Sequence, residues 1–124
     1  MKMKYLVILL LVFSGYYANA QAQSRFVIDD DATIKVMLTN NVTDAELKEL
    51  RALLHDKRGF LFTWSNVVRE KAKVKSMTIS IDCNDGRFRS STTVDDFTDN
   101  KSVGFYRHYS DSLPHPFWIG IEEK

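Results

Sequence analysis

Hydrophobic and polar positions alternate with a period of two along most of the chain, and one stretch switches to the helical period. Thr33 to Thr39 (TIKVMLT) puts Ile34, Val36 and Leu38 on one face and Lys35 and Met37 on the other. That alternation predicts a half-buried strand. Asn40 to Leu54 (NNVTDAELKELRALL) then places Leu47, Leu50 and Leu54 at three- and four-residue spacing, with Leu53 alongside, which makes one apolar helical stripe. Thr43 is a good N-cap, and Glu46 three residues later completes a capping box, with Val42 and Leu47 as its hydrophobic staple. Asp44 and Glu46 suit the positive end of the helix dipole, and Lys57 and Arg58 the negative end. Gly59 is placed to stop the helix in the left-handed conformation.

Period two returns after Gly59. Phe60, Phe62 and Trp64 share a face, and after a polar turn at Glu70 to Lys73 so do Met77, Ile79, Ile81 and Cys83. Asn84-Asp85-Gly86 predicts a hairpin, because these residues tolerate the positive φ angles of tight turns. Arg87 to Val94 reads as the return strand, with Phe88 inward and Arg87 and Arg89 outward. Asp95 to Pro116 has no clear period and reads as a long loop rich in aromatics (Phe97, Phe105, Tyr106, Tyr109). Phe117 to Glu122 closes the chain as a strand, with Phe117, Ile119 and Ile121 inward and Trp118 outward. The expected fold is α+β, a single helix packed on one face of a mainly antiparallel four- to five-stranded sheet, in the order β-α-β-β-β-loop-β.

The start of the chain changes the picture of where the protein resides. Lys2 and Lys4 precede the short apolar run Tyr5 to Phe13, and Ala18-Asn19-Ala20 gives a small-x-small cleavage pattern. This predicts a signal peptide over residues 1–20, since the apolar run is well short of the roughly 20 residues of a spanning helix. A second small-x-small match places an alternative cleavage after Ala22. Residues 21–32 follow as an N-terminal extension, with Asp29-Asp30-Asp31 read as an acidic turn, and 33–124 form one domain. The exported protein is expected to be periplasmic or secreted, without stable membrane insertion after cleavage.

Composition narrows the partners. Of 17 basic residues the signal segment removes Lys2 and Lys4, leaving 15 against 16 acidic ones, so nothing in the charge favours nucleic acid. Cys83 is the only cysteine, which rules out an internal disulfide. It continues the inward face of a strand and reads as a small core hydrophobe rather than a nucleophile. His55, His108 and His115 lie in three settings without ligand spacing, so no metal or other cofactor is expected. His108, Asp111 and Ser110 or Ser112 are close in sequence, but no nucleophile elbow accompanies them.

With one helix covering one face, the other face of the sheet is expected to be open and to carry Arg87, Arg89 and Trp118. Arginine and tryptophan are common anchors of protein contacts, and these three are the candidate binding residues. An extended peptide pairing with a strand edge is a second route to the same role.

The segments IKVMLTNNVTDAELKEL, FTWSNVVRE, MTISIDCNDGRFRSS and PFWIGIEE together resemble a small exported domain common in Bacteroidetes. That domain is often appended to BlaR-type membrane metallopeptidases and TonB-like envelope proteins. The turn at Glu70 to Lys73 departs from its pattern in lacking glycine, and the segment 95–115 in being longer. The resemblance implies a periplasmic accessory or sensing module. The zinc-binding His-Glu-x-x-His of the peptidase part is absent here, so protease activity does not carry over. The expected function is therefore a non-catalytic envelope module that binds a protein or peptide. The competing expectation is a small secreted enzyme, with its site built by residues 95–115 and His108 as acid or base.

Overall fold

The structure is a computed structural model and describes residues 24–110 and 115–124. The expected signal peptide and both cleavage sites lie outside the described residues, as do Asp111 and Ser112. Among the described residues seven strands and one helix follow in order: β1 (Val27–Asp29), β2 (Thr33–Leu38), α1 (Asp44–Arg58), β3 (Leu61–Glu70), β4 (Lys73–Asp82), β5 (Arg89–Val94), β6 (Lys101–His108) and β7 (Phe117–Glu123).

The class is α+β, with antiparallel pairing throughout, but the strands form two sheets where the sequence pattern led us to expect one. The first sheet has the order β1-β2-β6-β7 and the second β3-β4-β5. The difference originates in residues 95–115, which were expected to be a loop. Lys101–His108 forms β6, a central strand of the first sheet between β2 and β7. Gly104 obscured it, because glycine is depleted in strands and leaves a gap in the alternating pattern. Here the glycine is a requirement. A Cβ on Gly104 would lie 1.8 Å from the Val36 carbonyl oxygen on β2.

The two sheets turn their apolar faces toward one core. Ile34, Val36, Leu38, Val103 and Phe105 come from the first sheet, and Phe62, Met77, Ile79, Ile81 and Val94 from the second. Phe60 meets Phe105 edge-on with ring centroids 6.2 Å apart. Burying each such side chain contributes roughly 1.5–3 kcal/mol. Strands β5 and β7 approach one another, and near them Phe88 stacks on Phe117 at 5.4 Å. Ile121, expected to face inward, is 42% exposed because β7 runs past the core at its C-terminal end.

Helix α1 buries Leu47, Leu50 and Leu54 in the same core. The expected capping box is present: Thr43 Oγ1 accepts from the Glu46 N–H and Glu46 Oε1 from the Thr43 N–H, both at 3.1 Å. Gly59 ends the helix at φ 71°, donating its N–H to the His55 carbonyl. Arg25 reaches Glu46 Oε2 at 2.7 Å, and Arg58 reaches Asp29 at 2.5 Å. These bonds tie both ends of α1 to the chain around β1, so residues 25–29 of the expected extension pack with the domain. Asp30, in the acidic stretch, accepts the N–H groups of Ala32 and Thr33 at 2.8 Å, forming the turn into β2.

Among the described residues one polar residue is buried with the core, Asn40 at the entrance to α1. Its side-chain amide donates to the Phe97 carbonyl at 3.2 Å and to Asp99 at 2.8 Å, and its main-chain carbonyl accepts from the Val74 N–H at 2.7 Å. It joins the helix entry to β4 and to the β5–β6 connection.

Candidate binding surfaces

Trp118 lies on the outer face of the first sheet. In register, Lys35, Tyr106 and Trp118 form one row across β2, β6 and β7, and Met37, Gly104 and Gly120 form the next. The two facing glycines leave a gap in the side-chain layer, and Trp118 lies down into it. A Cβ on Gly120 would be 2.9 Å from the indole ring. The indole stacks on Tyr106 with centroids 5.7 Å apart and planes 17° from parallel. Tyr106 in turn meets the His108 ring at 4.4 Å. Lys35 and Glu122 pair across β6 at 3.6 Å. No described element covers this face, so it presents a flat, half-buried aromatic platform with polar groups at its edges.

Arg87 and Arg89 are placed elsewhere. The expectation that all three residues share one open face assumed a single sheet, and the second sheet separates them. The return strand starts at Arg89 rather than Arg87, because Asp85 holds the preceding turn. Its carboxylate accepts from the N–H groups of Arg87 at 2.9 Å and Phe88 at 3.0 Å, which lowers its pKa. Asn84 and Gly86 take positive φ angles of 55° and 75°, as the hairpin signal requires. Arg87 and Arg89 line a shallow cleft of about 290 Å³ at this turn, with Asp82, Asn84 and Phe88. The outer face beyond it is hydroxyl-rich, with Thr63, Ser80 and Ser91 in one row and Ser65, Thr78 and Thr93 in the next.

The end of the core between the hairpin and β6 holds most of the remaining chemistry. Arg107, 13% exposed, projects between the rings of Phe88 and Tyr109, each 4.6 Å from the guanidinium carbon, and pairs with Asp85 at 3.5 Å. One of its terminal nitrogens donates to the His108 carbonyl, while its buried Nε has no hydrogen-bond partner. Arg58 lies 4.9 Å from the Tyr109 ring. Cys83 is buried beside this group, and burial, helped by the charge of Asp85, pushes its thiol up to about 12. A thiol so held is protonated at neutral pH and is a poor nucleophile. Burial also raises Tyr109, against the pull of Arg58 and Arg107.

His108, the residue of the enzyme reading, is fixed at the end of β6. Its Nδ1 is hydrogen-bonded to Thr33 Oγ1 at 2.7 Å. His55 lies on α1 with its Nδ1 3.6 Å from Asp56 Oδ1, and His115 follows the undescribed residues. Among the described residues no three His, Cys, Asp or Glu side chains converge as a metal site would need, and no helix is long and apolar enough to cross a membrane.

A third surface was not singled out in the sequence. A groove of about 460 Å³ runs between α1 and β3, lined by Lys48, Arg51, Ala52 and His55 of the helix and Leu61 and Thr63 of the strand, with Phe60 and Phe62 almost wholly buried at its base. The signal for it was present in the helix. Lys48, Arg51 and His55 recur at the three- and four-residue spacing that places them on one face. Comparison with protein-family models, curated proteins and solved structures finds no match.

Proposed function

We propose that the chain is an exported, non-catalytic interaction module that binds a protein partner at the cell envelope through the outer face of its first sheet. The observation that carries this reading is Trp118, laid flat over Gly120 and stacked on Tyr106 where no described element covers it. Aromatic side chains held rigid in this way lose little entropy on binding, and they are frequent energetic centres of protein interfaces. The polar edge of Lys35, His108 and Glu122 supplies the rim such a centre requires. The export signal expected at residues 1–20 and the resemblance to an envelope-associated domain support a partner in the same compartment. Arg87 and Arg89 then act as a separate polar contact on the second sheet.

Capture from an envelope extract tests this. A partner retained by the wild-type chain should be lost with Trp118→Ala/Tyr106→Ala and kept with Arg69→Ala. Equal recovery by all three chains would remove the platform from consideration.

A further inference from the structure

We propose that the groove between α1 and β3 is a second binding site, and that it takes an extended acidic peptide added as a strand to the free edge of β3. Three observations converge on this. First, β3 is an edge strand, since the second sheet has the order β3-β4-β5. Among the described residues no backbone hydrogen bond reaches Leu61 to Ser65 from outside that sheet. Exposed edges of this kind are normally blunted by charge, bulges or cover, because unpaired N–H and C=O groups invite another strand. Here the protection starts only at Asn66, where a positive φ of 55° and two register shifts break the regular edge.

Second, the free edge adjoins an open groove. Ala52, Leu61 and Thr63 line it beside the basic residues of α1, with Phe60 and Phe62 almost wholly buried at its base. By strand alternation the 48% exposed Leu61 side chain lies on the other side of β3 from Phe62. An added strand presents alternate side chains to these two sides.

Third, the wall of the groove has a sign. Lys48 and Arg51 face it beside His55, with Asp56 as the one acidic side chain of its lining. Asp56 Oδ1 lies 3.6 Å from His55 Nδ1, and no ion pair among the described residues engages Lys48 or Arg51. Arg51 instead stacks on Trp64 at 5.1 Å, which holds its guanidinium beside the strand edge. The occupant that satisfies edge and wall together is a peptide of alternating acidic and apolar residues, acidic side chains toward α1 and apolar ones along Leu61. This surface shares no residue with the Trp118 platform.

The test uses the exported chain and a six-residue peptide of alternating glutamate and valine with blocked ends. Nuclear magnetic resonance titration should shift the amides of residues 61–65 and slow their exchange with solvent. Lys48→Glu and Lys48→Glu/Arg51→Glu should weaken binding by about tenfold or more, as charge reversal at a steering site does. Trp118→Ala should leave the affinity unchanged, so that failure here and failure of the platform are told apart. Three outcomes would overturn the proposal: equal binding of a lysine–valine peptide, equal binding of the acidic peptide N-methylated along its backbone, or shifts that bypass residues 61–65.

Discussion

At the residue scale, two glycines in the first sheet have opposite meanings. Gly104 is fixed by backbone contact, since any side chain there meets the Val36 carbonyl. Gly104→Ala is expected to lower stability by about 3 kcal/mol by forcing β2 and β6 apart, measured by urea denaturation. Gly120 meets only the Trp118 ring, so Gly120→Ala should instead tilt the indole off the sheet. The expected result is a small stability change with an altered tryptophan fluorescence. An equal loss for both substitutions would show that the close approach of β2 to Gly104 is not the governing contact. Asn40, by contrast, earns its burial through hydrogen bonds to three residues in two segments, Val74 on β4 and Phe97 and Asp99 in the β5–β6 connection, which satisfy most of its polar groups.

At the scale of elements, α1 carries its own start and stop. Thr43→Ala removes the side-chain half of the capping box and is expected to cost about 1 kcal/mol. The box is also sensitive to pH. The Arg25 hydrogen bond, joined by the Thr43 N–H, holds the Glu46 carboxyl at about 2 against an ordinary value of 4.5. A depressed folded pKa adds stability above the unfolded value, near pH 4.5, and that contribution is lost as pH falls toward 2. Wild type should therefore exceed Glu46→Gln in stability at pH 7, with the gap narrowing between pH 4.5 and 2. A gap constant over that range would contradict the ion pair. The helix was legible in the sequence because its cap, stripe and stop are local signals that agree. Strands β2 and β4 were legible for the same reason, from uninterrupted alternation. The β6 strand was not, because what stabilises it is non-local: two neighbouring strands and a glycine that only a close backbone approach explains. Trp118 was correctly placed outward from strand parity, but parity cannot say which of two sheets a strand joins. That is why Arg87 and Arg89 were grouped with it.

At the scale of the molecule, two sheets share one core, and Arg107 closes one end of it by bringing a β6 side chain between Phe88 of the opposite hairpin and Tyr109. Cys83 lies behind that closure. The native chain should resist thiol-specific reagents at neutral pH, and Arg107→Ala should speed labelling of Cys83 by about tenfold or more through local opening. Unchanged protection would mean that other contacts close this end. Whether the first sheet's aromatic face is the contact surface is tested by a photo-crosslinking amino acid placed at position 118 in living cells, with position 71 in the exposed β3–β4 turn as the control. A discrete crosslinked species is expected from position 118 and none from position 71. Crosslinking from position 71 with none from position 118 would rule this face out as the contact surface.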